Sequence, residues 1–119
     1  MQERKKNKMK EKRIEKEILR LSKFFAAAPA GKRQLAEGLI RRAAYMRVTL
    51  EDFEVDLDTN GYVELFSQSE KLEPYERERP AARLYNSMIR NYQTLMKQLV
   101  DLLPANTSNE IKNEIKEFM

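Results

Sequence analysis

The feature that most restricts this chain is an apolar rhythm in its first half. Leu39, Ala43, Met46, Leu50, Phe53 and Leu57 recur at alternating spacings of four and three, which a helix presents as one stripe and a strand cannot. The segment "KRQLAEGLIRRAAYMRVTLEDFEVDLD" therefore predicts one long helix. Its end has a rival reading. Phe53, Val55 and Leu57 also alternate, and Asn60-Gly61 is a strong hairpin signal, so a strand pair over 53–66 competes. The helical pattern covers the longer window, and "SQSEK" supports no second long strand, so Gly61 is expected to stop a helix. The stretch "DLDTNGYVELFS" also imitates a calcium loop, with Asp56, Asp58 and Asn60 at alternate positions before Gly61. A calcium loop needs a bidentate Glu at its twelfth position, and Ser67 stands there; the chain then runs into Pro74 without an amphipathic exiting helix.

Three further helical stretches follow from the same reasoning. "MQERKKNKMKEKR" has almost nothing to bury and is expected to fray, but Ile14, Ile18, Leu21 and Phe25 then give a helix over about 10–27. Pro29 and Gly31 in "AAAPAGK" end it. Residues 59–79 read as an extended or irregular connector, with Arg79 kept extended by Pro80, which suits the first turn of another helix. In that helix Tyr85, Met88, Tyr92, Leu95, Leu99 and Leu102 form a stripe that Leu84, Ile89, Met96, Val100 and Leu103 widen on both sides. One partner helix cannot cover such a face, so self-association is expected. After Pro104, "TSNE" is a capping-box pattern from Thr107 to Glu110 that starts a short helix.

Composition then removes function classes. With 119 residues, 41% hydrophobic and 35% charged, the chain supports one domain with a thin core. It has no Cys, no His and three Gly. A disulfide framework, a thiolate metal site, the commonest general base and a glycine-rich phosphate cradle are thereby excluded, so catalysis is not expected and neither is a cofactor or metal. Glu51, Asp52, Glu54, Asp56 and Asp58 are distributed around a helix and read as its solvated face more simply than as metal ligands. No apolar run approaches the roughly 20 residues of a bilayer span, and no apolar segment backs the lysine-rich start, so no membrane association is expected and a reducing cytoplasmic setting is. The net charge of +4 is uneven: residues 1–23 hold ten Lys or Arg against four Glu, +6, and residues 24–119 hold thirteen against fifteen acids, −2.

The expected fold is all-α: a long helical hairpin with an N-terminal basic helix and a short C-terminal helix, assembling into an oligomer. Residues 1–32 form the basic arm and helix, 33–104 the hairpin core with its connector, and 105–119 the tail helix.

At "PYERERPAARLYNSMIRNYQTLMKQLVDLLP", residues 74–104, the chain resembles phage terminase small subunits of the P27-like group, in which a "YERERP" lead, a "YN" pair, a "KQL" and a terminal "DLLP" recur in this order. "GLIRRAAYMRVTLEDFEVDLDTNGYVELFSQSEK" is similar to the same proteins, so the resemblance covers about residues 35–104. The N-terminal arm and the tail after Pro104 depart from it. The resemblance implies a ring-forming, non-catalytic component of a viral DNA-packaging motor. It would bind double-stranded viral DNA at the packaging-initiation region and deliver it to a large subunit holding the ATPase and nuclease, in the cytoplasm of the infected host cell. A helical scaffold or adaptor that oligomerises without touching DNA is the alternative.

Each role has candidate residues and a plainer competitor. For DNA the cations are Arg4, Lys5, Lys6, Lys8, Lys10, Lys12, Arg13, Lys16, Arg20, Lys23, Lys32 and Arg33, which gain affinity by releasing counterions from phosphates and do not read sequence. The competing reading is a solvated tail. Ile14 to Ala44 also fits a helix-turn-helix variant with Arg41 and Arg42 on DNA, although its turn is long. For oligomerisation the candidates are Tyr75, Glu76, Arg77, Glu78, Arg79, Tyr85, Met88, Ile89, Tyr92, Leu95, Met96 and Leu99. Arg77 and Arg79 would meet Glu76 and Glu78 of a neighbour, or else "YERERP" straps its own hairpin. Tyr85 and Asn86 read as packing and a local hydrogen bond. Ile111, Ile115 and Phe118 would contact the large subunit, or fold back on the hairpin.

Overall fold

The computed structural model describes residues 2–104, 107 and 109–117, and in it the apolar stripes become helices. Helix α1 covers Gln2–Ser22 and closes in a 3₁₀ turn at Lys23–Phe25. It starts earlier than the stripe from Ile14 requires. Lys, Arg, Glu, Gln and Met have straight side chains that lose little freedom in a helix, so the charged lead continues the helix into solvent where fraying was expected. Its side chains from residue 3 to 9 are all exposed.

Pro29, extended at φ −57° and ψ 150°, leads into α2, Ala30–Asn60. Its 31 residues correspond to about 47 Å of helix. The helix runs through the stretch where a strand pair competed: Leu57 is buried while Val55 is 67% exposed, which alternation on one strand face would not allow. Gly61 ends it at φ 81° and ψ 179°, its N–H donating to the Leu57 carbonyl at 2.8 Å. Asp56 and Asp58 are helical, so the calcium-loop geometry does not form.

The chain is mostly helical as expected, but the connector expected to be extended or irregular holds a short antiparallel strand pair between Gly61 and Pro80. Strand β1, Val63–Phe66, pairs antiparallel with β2, Tyr75–Glu78, in the register Val63 to Glu78, Glu64 to Arg77, Leu65 to Glu76 and Phe66 to Tyr75. The strands have only four residues each, and the eight-residue loop between them hides the pairing from a search for tight turns. Arg79, extended as a residue before proline must be, hands the chain to α3, Pro80–Asp101. Helix α4, Asn109–Glu117, begins two residues after the expected cap at Thr107.

Helix α2 is the centre, with α1 and α3 both packed on it and α4 against α3. One core unites them: Leu21 and Phe25 from α1 and its turn, Ala36, Ile40, Ala43 and Leu50 from α2, Tyr92, Met96 and Leu99 from α3, Leu103, and Ile115 from α4. Leu21 and Phe25, before the boundary expected at residue 32, share this core with the hairpin helices. Much of the wide face of α3 is covered within the chain by α2 and α4, while Leu84 stays 57% exposed. The molecule is long, 64 × 33 × 21 Å, with a radius of gyration of 18.6 Å. A compact chain of this length would have about 13–14 Å.

Candidate nucleic-acid interface

Helix α1 gathers most of the cationic candidates on one rod. From Arg4 to Lys23 it rises about 28 Å, and its apolar stripe of Ile14, Ile18, Leu21 and Phe25 turns the other faces outward. Arg4, Lys5, Lys6, Lys8, Lys12, Lys16 and Lys23 are exposed, and none has an acid within ion-pair distance among the described residues. A single acid, Glu3, occupies the first turn. Cations there oppose the positive end of the helix dipole, a conflict that a bound phosphate relieves.

Three candidates are engaged inside the chain. Arg13 bonds Asp52 at 2.7 Å and lies 3.9 Å from Glu51, tying α1 to α2. The Lys10 ammonium sits 4.8 Å from the centroid of the Tyr45 ring. Arg20 makes a fork on Glu17, its Nε donating at 2.8 Å and its Nη2 to the other oxygen. That pairing raises the Arg20 pKa, against the opposing effect of burial. The fork faces Tyr92, whose own pKa is raised chiefly by burial, with Arg47 pulling the other way.

Lys32 and Arg33 are exposed in the first turn of α2. Arg41 and Arg42 are exposed further along, Arg41 at 3.4 Å from Glu37. The helix-turn-helix variant lacks a short recognition helix, since α2 runs on to Asn60 as the central strut.

The acidic end of α2 is taken up by donors of the same chain. Glu51 lies 3.7 Å from Arg47, Glu54 accepts the Tyr85 hydroxyl at 2.9 Å, and Asp56 accepts from Asn60 at 2.6 Å. Among the described residues no group of three or more His, Cys, Asp or Glu is placed to hold a metal. Nor is any helix long and apolar enough to cross a membrane.

The assembly candidates divide in two. Tyr92, Met96 and Leu99 are at most 1% exposed inside the chain's own core, so as placed they cannot meet a neighbour. Tyr85, Met88, Ile89 and Leu95 are half-buried against that core. Both arginines of "YERERP" have partners within the chain. Arg77 bonds Glu64 at 2.8 Å and lies 3.4 Å from the Phe66 ring centroid, while Arg79 reaches both oxygens of Asp56 at 3.1 and 3.0 Å. Tyr75, Glu76 and Glu78 remain exposed. Ile115 is buried and Ile111 half-buried against the core, so α4 folds back; Phe118 lies outside the described residues.

Sequence reasoning missed the hairpin and the Arg79 latch. The signal available was two short segments rich in β-branched and aromatic or charged residues, "VELF" and "YERE", flanking the turn-forming "SQSEKLEP". Comparison with protein-family models, curated proteins and solved structures finds no match.

Proposed function

We propose that this chain is the small, non-catalytic subunit of a viral DNA-packaging terminase. It oligomerises, binds the viral genome at the packaging-initiation region, and passes it to the large ATPase and nuclease subunit in the cytoplasm of the infected host. The packaging role rests on the resemblance over residues 35–104. The observation that supports DNA binding is the seven exposed cations along α1, carried outward by a helix whose opposite face anchors in the core. Such a rod gains affinity from counterion release.

The test is removal of residues 2–8, which takes away Arg4, Lys5, Lys6 and Lys8 but leaves Lys10, Lys12, Arg13 and the apolar stripe. Binding to duplex DNA of any sequence should weaken, and its log–log dependence on salt should flatten by about 0.9 for each phosphate that the arm no longer neutralises. An unchanged salt slope rules the arm out as the interface. Stimulation of the large subunit's ATPase by the full chain tests the motor role directly.

One observation favours the second reading, a helical scaffold without DNA. Arg13, Lys10 and Arg20 spend their charge on partners within the chain, as a purely structural helix would. A full chain that assembles but shows no DNA affinity at low salt selects it.

A further inference from the structure

We propose that copies of this chain join head to tail, the outer face of the β-hairpin of one copy seating on the outward face of α1 of the next. The inference rests on the oligomer reading above and deepens it by naming the surfaces that meet. The two faces of the hairpin differ. One carries Glu64, Arg77, Phe66 and Tyr75 and is knit together by the ion pair, the cation over the ring and an edge-on contact of the two rings at 6.0 Å. By the register, Val63 and Leu65 share the other face with Glu76 and Glu78. Val63 is 52% and Leu65 73% exposed, and both acids are exposed. Only Glu78 has an internal partner among the described residues, Arg83 at 3.5 Å, and that arginine is itself mostly in solvent. A two-stranded ribbon left this open is marginal alone and gains from cover. Its outer face asks for a partner that is both apolar and cationic.

The chain carries such a surface on α1. Met9, Lys12, Lys16, Leu19 and Lys23 follow spacings of three and four, and lie opposite the stripe that enters the core. Met9 and Leu19 are each 66% exposed, so this face offers apolar side chains between its lysines. The dimensions agree. Glu76 and Glu78 are about 7 Å apart along a strand, and Lys12 and Lys16 about 6 Å apart along a helix. A surface of one kind meeting a different surface on the next copy is heterologous, and closes into a ring when its rotation permits. In this arrangement Lys12 and Lys16 serve the neighbour, and DNA phosphate falls to Arg4, Lys5, Lys6 and Lys8.

The test is a charge swap, read by native mass spectrometry of the full chain without DNA at about 0.15 M salt, where exposed charges still interact at close range. The variants are Glu76→Lys with Glu78→Lys, Lys12→Glu with Lys16→Glu, and all four together, with far-ultraviolet circular dichroism checking that each folds. Each double variant should lose the assembled species at a concentration where the unaltered chain is assembled, and the fourfold variant should regain it. The interface is overturned if the doubles keep the unaltered mass, if the folded fourfold variant stays dissociated, or if the unaltered chain is a monomer, which would leave the hairpin face to another partner. DNA binding by the unaltered chain is measured separately, so an assembly indifferent to the swap removes this interface without touching the packaging reading.

Discussion

Arg79 is where the two halves of the chain are fastened. Its Nη1 donates to the Gly61 carbonyl at 2.7 Å, its Nη2 to both oxygens of Asp56, and its backbone N–H to the Tyr62 carbonyl at 2.9 Å. A cation is thereby placed at the negative end of α2 while the same residue starts α3. Replacing it with Ala leaves the Gly61 carbonyl without its side-chain donor and Asp56 with Asn60 alone, so Arg79→Ala should lower the melting temperature by several degrees. Arg77→Ala should lower it less, because the Arg77 side chain is 38% exposed against 18% for Arg79. The hydrogen bond from Asn60 and then that from Arg79 hold the Asp56 pKa below the ordinary value of 3.8. Stability from this group is present at higher pH and is lost as pH falls from that value through the lowered one. Tyr85 behaves oppositely. Burial first, and its bond to Glu54 second, push its pKa up to about 12 from 10.0. The folded chain then holds the phenolic proton more tightly than the unfolded chain, so stability is intact below pH 10 and falls between about 10 and 12. Tyr85→Phe should be less stable at neutral pH by about 0.5–1.5 kcal/mol and show a shallower alkaline loss in denaturant titrations. Equal alkaline slopes would mean that Tyr85 does not carry this effect.

At the scale of elements, α4 has nine residues and could not hold a helix alone in water. Ile115, 2% exposed, is what fixes it to the core. Ile115→Ala should therefore cost about 2–4 kcal/mol in chemical unfolding, and truncation after Pro104 at least as much. A truncated chain of unchanged stability would free the tail for a partner. The elements were unequally legible in the sequence. Stripes with spacings of four and three, in α1 from Ile14, in α2 and in α3, announced their helices, because a helix of several turns repeats its pattern often enough to be read. The strands had four residues each and no such repetition. What covers α3 was also hidden: a broad apolar face states how much surface must be buried but not whether α1, α4 or another copy buries it. The cations of α1 were legible as charge, whereas the partners of Lys10, Arg13 and Arg20 depended on how α1 lies against α2 and within itself.

Over the whole molecule the charge is segregated. Residues 1–33 carry twelve Lys or Arg against four acids, +8, and residues 51–79 carry three against ten, −7. Opposite charges concentrated in different stretches of the chain fit the proposed contacts with its own copies and with a polyanion, and salt separates these attractions from folding. The fold is held by an apolar core that screening barely touches, so melting should change little between about 50 and 200 mM salt. DNA affinity should not be so tolerant. If Arg4, Lys5, Lys6 and Lys8 each neutralise one phosphate, the slope is about −3.6 and the roughly fourfold rise in salt costs on the order of 100-fold in affinity. Phosphate contacts carry no sequence information. Removing residues 2–8, which spares Met9 and Lys12, should therefore weaken a packaging-initiation duplex and a random duplex by the same factor, leaving their ratio unchanged in a competition gel shift. A ratio that collapses with the arm would place base readout in α1. A preserved ratio would place it on the elements that remain, among which Lys32, Arg33, Arg41 and Arg42 are the exposed cations of α2.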